Sequence, residues 1–207
     1  MTDLEPIRGK SVPPGRALEE EEIQKLIDAA GANPASIRNR AIIALLYGCG
    51  LRSVEAARLL LRDLDPADGE VRVRGKGSKW RLVPVPAGVW PHMNAWLHQR
   101  GSRHGPLFCT ARSIRRMALQ PISPDVVYRV VTDLAIKAEI EKATPHDHRR
   151  TFVSTLLDRG ADPVTVSKLA GHESVDTTVL YDRRSKEAGR EAVELLGWVG
   201  SGSSGQQ

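Results

Sequence analysis

Six side chains in this sequence have types suited to chemistry at a phosphate: Arg52, Lys76, His146, Arg149, His172 and Tyr181. Four of them lie in one stretch, PHDHRRTFVSTLLDRGADPVTVSKLAGHESVDTTVLY, from Pro145 to Tyr181. His146 and Arg149 are three apart at the start of a helical pattern, so both can face the same way. Arg52 and Arg149 can each grip a phosphate with two parallel N–H donors. His146 and His172 can donate or exchange protons. Lys76 can protonate a leaving group. Tyr181 can act as a nucleophile, despite a free pKa near ~10, if cations and imidazoles surround it. No thiol pair lies nearby, so the set suggests phosphoryl chemistry without a metal.

These groups are far apart in sequence, so the fold must bring them together. Glu20 to Ala30 has Ile23, Leu26, Ile27 and Ala30 at helical spacing. Its glutamates fall in the first turn, where the helix dipole favours them. Ser36 to Tyr47 predicts a deeply buried helix that Gly48 and Gly50 break. A further helix is expected from Ser53 to Leu61, with Val54, Ala57 and Leu61 inward. Arg52 then sits at a helix junction, either as a capping residue or projecting its guanidinium into a cleft. Glu55 can hold it by a charge-assisted hydrogen bond.

Asp65 to Gly69 reads as a turn, and Glu70 to Val85 alternates as a hairpin with a Gly-rich tip at Gly75-Lys76-Gly77-Ser78. Its polar side is expected to carry Arg72, Arg74, Lys76, Lys79 and Arg81. Such charges protect a solvated edge, and they equally suit a phosphate backbone. Val89 to Leu97 predicts a helix with Trp90, Met93, Trp96 and Leu97 toward the core. Ser123-Pro124 supplies an N-cap and a first helical position, followed by inward Val127, Val130, Val131, Leu134 and Ala138. Asp147 is expected to cap a helix running to Asp158, ended by Gly160. Asp162-Pro163 starts another, ended by Gly171. Asp176 is expected to cap a short helix bearing Tyr181, and a last amphipathic helix spans Lys186 to Trp198.

At 207 residues the chain can bury one good-sized core. Aromatic residues are scarce, and Leu, Val and Ala carry the apolar content, which favours a helix-rich fold. The net charge of +5, with one acidic run at Glu19 to Glu22 and Arg and Lys clustered elsewhere, implies a basic face, for which nucleic acid is the default partner. Cys49 and Cys109 form no CxxC pair and imply no disulfide framework; Cys49 falls in an apolar helical run, as a reduced core residue does. The N-terminus lacks the signal-peptide pattern, and no apolar run approaches the ~20 residues of a membrane span. A cytoplasmic setting is expected.

Taken together, GLRSVEA at 50–56, GKGSKWRLVPV at 75–85, PHDHRRTF at 145–152 and LAGHESVDTTVLY at 169–181 closely resemble the motifs of the tyrosine recombinase (phage integrase) family, Xer-type members above all. The resemblance runs from about residue 17 to Tyr181, in the family's order and spacing. It implies a mainly α fold with a small antiparallel β-sheet, the DNA breaking-rejoining fold. It further implies that Arg52 and Arg149 clamp the scissile phosphate, and that Lys76 is the general acid for the departing 5′-oxygen. His146 helps activate the tyrosine, and His172 hydrogen-bonds the phosphate. Tyr181 attacks to give a 3′-phosphotyrosyl link, and Glu55 supports Arg52. No cofactor or metal is expected. The implied partner is double-stranded DNA, bound by a homo-oligomer (dimer or tetramer) through the helix at 186–198, a segment that packs either on a neighbouring protomer or in cis.

The expected organisation is a flexible lead-in over 1–16, a catalytic domain over 17–198 and a flexible tail over 199–207, without the family's separate N-terminal core-binding domain. His148 stands where the family usually has an apolar residue, either as an adjusted core contact or as a third imidazole near the site. Ala170 replaces a common leucine. Two other readings compete with recombination. One is a DNA-binding regulator or remnant that does not complete strand exchange. The other is a metal-dependent nuclease using His146, Asp147 and His148, for which no fourth ligand is apparent in the sequence.

Overall fold

The computed structural model describes residues 15–114, 119–172 and Thr177, apart from the side chains of Lys76 and Ser113. Among these residues it shows seven α-helices and one three-stranded sheet. Helix α1 spans Glu20–Asp28, α2 Pro34–Cys49, α3 Ser53–Arg58, α4 Trp90–Arg100, α5 Pro124–Lys137, α6 Pro145–Asp158 and α7 Pro163–Ala170. The strands are β1 (Leu64–Asp65), β2 (Glu70–Arg74) and β3 (Trp80–Pro84). They pair antiparallel in the order β1-β2-β3.

Four helix starts share one local device, a polar cap followed by proline. Asn33, Ser123, Thr144 and Asp162 each accept a hydrogen bond from a backbone N–H in the first turn, and Pro34, Pro124, Pro145 and Pro163 follow. The cap satisfies a donor that the helix leaves orphaned, and proline loses nothing at that position. The start of α6 corrects one expectation. Asp147 lies inside the helix, and Thr144 is the cap. Asp147 Oδ2 accepts from the Thr144 backbone N–H at 2.9 Å and from its hydroxyl at 2.7 Å, closing a reciprocal capping box.

Helix α2 is the spine. It packs against α1, α3, α4, α5 and α6, and Ala41 through Leu46 are all buried. A helix apolar on every side belongs in the middle of a core. Gly48 does not break it, because the helix continues to Cys49 and ends at Gly50. A second, smaller core joins α6 to α7 through Phe152, Val153, Leu157, Val166 and Ala170. His148 belongs with the interior as well. It is fully buried, and its Nδ1–H donates to the Thr144 carbonyl at 3.0 Å.

Helix α3 is shorter than its periodicity suggests, ending at Arg58, and a 3-10 turn (Leu61–Asp63) leads into β1. Val54, expected inward, is exposed. Burial alternates along the sheet, but β3 places unexpected residue types on its two faces. On β3 Trp80 and Leu82 face solvent, while Arg81 turns inward. Arg81 therefore does not share a face with Arg72 and Arg74.

The α2–α3 corner is the tightest point near the prospective site. Gly50 has φ +59°, and a Cβ there would lie 2.4 Å from the Phe152 ring. Both the left-handed backbone and the close approach require glycine. Gly50→Ala is expected to destabilise the protein by about 1–3 kcal/mol through overpacking and strain. A lower urea midpoint at unchanged slope is the readout.

Candidate active site

Arg52 lies between Gly50 and the first turn of α3. Its backbone N–H donates to Glu55 Oε2 at 2.9 Å, and its guanidinium meets Glu55 Oε1 at 2.9 Å. A second donor of the same guanidinium reaches the Gly171 carbonyl at 3.3 Å, across 119 positions of sequence. Arg52 thus does both things its sequence position allowed. It is anchored at the junction, and its side chain remains 43% exposed to the cleft.

Glu55 is buried and holds a second arginine. Arg81 donates to Glu55 Oε1 and Oε2, each at 2.9 Å, and through Nε to the Leu169 carbonyl at 2.8 Å. One carboxylate therefore joins α3, β3 and the end of α7. Burial alone would raise its pKa, but the hydrogen bonds and charge of Arg81, with help from Arg52, pull it below the ordinary carboxylate range. Sequence reasoning found the Glu55–Arg52 pair from their spacing. It placed Arg81 among the DNA contacts of the hairpin, because its partner lies 26 residues away.

Helix α6 brings His146 and Arg149 to the same region. Arg149 is buried and donates to the Gly50 carbonyl at 2.7 Å, beside Arg52. His146 is exposed at the start of the helix. Partial desolvation, then the charges of Arg150 and Arg149, hold its pKa below the usual imidazole value. His172 follows Gly171, the left-handed residue (φ +67°) that ends α7. Its pKa is pushed down to about 4, first by burial and then by Arg149, Arg52, Arg81 and His146. The mutual repulsion shows that these groups share one electrostatic environment. At neutral pH both imidazoles are uncharged, so each has one N–H to donate and one nitrogen to accept.

The cleft between these elements has a volume of about 460 Å³ and is lined by Arg52, Glu55, Arg58, Arg74, His172 and Thr177 among others. Arg58 had no motif to mark it. It closes α3, six residues after Arg52. Lys76 opens a 3-10 turn at the hairpin tip, next to Gly75 of the cleft wall. Lys79 is exposed beside it. Tyr181, its expected capping residue Asp176 and the helix at 186–198 lie outside the described residues.

Two of the three donors that a metal-nuclease reading would need, Asp147 and His148, are engaged within the fold. Asp147 is buried and accepts from Thr144 and from the backbone N–H of Arg16. His148 is buried with its Nδ1–H on a carbonyl. The same region brings together two guanidiniums, Arg52 and Arg149, and two imidazoles, His146 and His172.

The model described as the phage integrase family matches residues 16–188, which include every element of this cleft. The chain belongs to that family. Tyrosine recombinase XerA of Pyrococcus furiosus is 35% identical over 195 residues, covering 93% of this chain and 66% of that protein. Tyrosine recombinase XerD of Mycobacterium tuberculosis is 35% identical over 199 residues, covering 90% of this chain and 60% of that protein. The chain thus spans roughly three fifths to two thirds of the length of these curated relatives. The crystal structure of XerA recombinase superposes with a TM-score of 0.71 at 28% identity, covering 90% of this chain and 67% of that one. XerH recombinase bound to its difH substrate superposes at 0.72 with 24% identity, covering 91% and 56%, and shares the fold. The mainly helical fold with a small antiparallel sheet is therefore that of the family's catalytic domains, as the motifs implied.

Two measurements check the electrostatics of this site. Glu55→Gln keeps the shape but removes the charge that Arg81 and Arg52 share. Breaking a buried pair from one side costs about 3 kcal/mol. Because the Glu55 pKa is depressed in the folded state, its contribution is present above the ordinary carboxylate pKa of about 4 and is lost as pH falls through the folded value. The stability gap between variant and wild type should therefore be full at pH 7 and shrink in acid, as read by urea unfolding at several pH values. Separately, an NMR titration of the free protein should give His172 a midpoint of about 4. Arg52→Ala should raise that midpoint by removing a neighbouring positive charge.

Proposed function

We propose that this chain cleaves and rejoins double-stranded DNA through a covalent 3′-phosphotyrosyl intermediate, as a tyrosine-type site-specific recombinase. The observation that carries the proposal is the clustering of four groups from separate elements: Arg52 and His172 line the cleft, Arg149 bonds the backbone two residues before Arg52, and His172 feels the charge of Arg149, Arg52 and His146. In this reading Arg52 and Arg149 bind the scissile phosphate and neutralise the charge that builds on its oxygens. Charge fixed in place before reaction is usually the largest catalytic contribution. Glu55 aims Arg52. His172 donates a hydrogen bond to a phosphate oxygen, which its neutral state permits without adding charge.

Tyr181 attacks phosphorus. The Oη–P bond forms as the P–O5′ bond breaks, His146 helps take the phenolic proton, and Lys76 gives a proton to the departing 5′-oxygen. The reverse sequence rejoins the strand, and because the phosphotyrosyl link conserves the bond energy, no nucleotide cofactor enters the balance. Arg72, Arg74 and Lys79 lie along the hairpin where they would meet the DNA backbone. Arg81, engaged with Glu55, acts in positioning.

The surrounding assembly follows from the same reading. The catalytic domain occupies 17–198, and the helix at 186–198 docks on a second copy bound to the same DNA. Among the described residues no helix is long and apolar enough to cross a membrane. Cys49 and Cys109 are buried free thiols, Cys49 with its pKa pushed up to about 12 by burial. Both facts suit a cytoplasmic protein.

A nicked suicide substrate, which loses its 5′ end on cleavage, tests the chemistry. Wild-type protein should form a DNA adduct that survives denaturant and is indifferent to chelator, and Tyr181→Phe should form none. An adduct persisting in that variant would overturn the assignment of the nucleophile. Wild-type binding with a steep salt dependence but no adduct would instead identify a regulator.

A further inference from the structure

Strand β3 begins with its polarity reversed, over Trp80, Arg81 and Leu82. A strand on a half-buried sheet ordinarily turns apolar side chains inward and charged ones outward. Here Trp80 is 53% and Leu82 is 58% exposed, while Arg81 points in. The inward arginine is explained by Glu55; the outward tryptophan stays more than half exposed, with cations as its ring partners. Its cross-strand neighbours are also cations. Trp80 pairs with Arg74 and Leu82 with Arg72. The guanidinium carbons of Arg72 and Arg74 lie 5.0 and 6.0 Å from the Trp80 ring centre. Lys79 is exposed one residue away.

Charge along this face is segregated. The acidic residues Asp63, Asp65, Asp68 and Glu70 cluster at the β1 end, where Asp63 holds Arg72 at 3.3 Å. The tip end carries Arg74, Lys79 and the indole. Arg74 is steadied by Ser78 at 2.8 Å and also lines the cleft, so the two surfaces are continuous.

An exposed indole framed by guanidiniums suits a flat ring linked to an anion, which is the chemistry of a nucleotide. In an intact duplex the bases are stacked on each other and unavailable. An unpaired base offers its free face to an aromatic side chain while its phosphates meet the flanking cations.

We propose that the Arg72–Trp80–Arg74 ledge binds an unpaired nucleotide of a DNA strand, stacking the base on Trp80 and setting its phosphates against Arg74 and Lys79. The proposal rests on the cleavage reading of the adjoining cleft, since breaking a strand there is what would free bases beside the hairpin. On this view the ledge holds the loosened end close to the site until it is rejoined.

Fluorescence anisotropy on the full chain, with a labelled oligo-dT strand and a duplex of equal length, provides the test. Trp80→Ala should weaken single-strand binding about tenfold, the scale of one lost base stack, and duplex binding by much less. Trp80→Phe, which keeps an aromatic face, should retain most of the single-strand affinity. Equal losses on both probes, or no loss on either, would overturn the proposal, provided thermal melting shows both variants folded. A change of oligomeric state in Trp80→Ala at unchanged single-strand affinity would mark the face as a protein contact and also overturn it. The suicide-substrate result for wild type separates the two claims. Adducts without a Trp80 effect sink only the ledge, whereas a Trp80 effect without adducts sinks only the cleavage reading.

Discussion

The buried carboxylate of Glu55 is shared by two arginines, and the geometry of the cleft depends on that sharing. Arg52 and Arg81 approach it from different elements, and each also binds a carbonyl near the end of α7. Two guanidiniums this close would repel each other and drift apart without an anion between them. With Glu55 present, the same charges become a clamp that fixes α3 against β3 and against the turn carrying His172. The site is thus assembled by an internal ion network before any phosphate arrives. A bound phosphate would meet donors already oriented, which is the arrangement that makes electrostatic catalysis effective.

Burial first, and then the surrounding positive charges, keep the His172 imidazole neutral. His172 sits half-buried among fixed positive charges, and burial and repulsion both oppose a further proton. An anionic ligand would relieve part of that repulsion. The positive charge around His172 and the neutrality of its imidazole are therefore two aspects of one arrangement.

Much of this was readable from sequence because the signals were local. Ser123-Pro124 and Asp162-Pro163 announced helix starts, and the spacing of Glu55 from Arg52 announced their bond. The four motifs led to the family, and the family fold follows. The structure departs from these local patterns at Arg81 through a distant partner, and at Val54 and Asp147 through helix ends set differently. Arg81 looked like one more outward cation of an alternating ribbon, yet Glu55 draws it in and leaves Trp80 and Leu82 outside. Val54 looked like a core residue of a longer helix, but α3 stops at Arg58 and Val54 borders the cleft. Asp147 looked like a cap because Thr144, the true one, lay a turn earlier behind a proline. His148 was left between core and site by its type alone, and the Thr144 carbonyl places it in the core.

The stretch that enters the domain is bonded directly to the helix that bears His146 and Arg149. The backbone N–H of Arg16 donates to Asp147, and that of Leu18 donates to the Thr151 hydroxyl at 2.8 Å. Both acceptors are on α6, between and just beyond the two site residues. A tether at this point transmits force: tension applied upstream of Arg16 is delivered to α6 and not dissipated in a slack loop. For anyone joining a foreign DNA-binding module to this catalytic fold, residues 15–18 are accordingly part of the machine, and the seam belongs ahead of them.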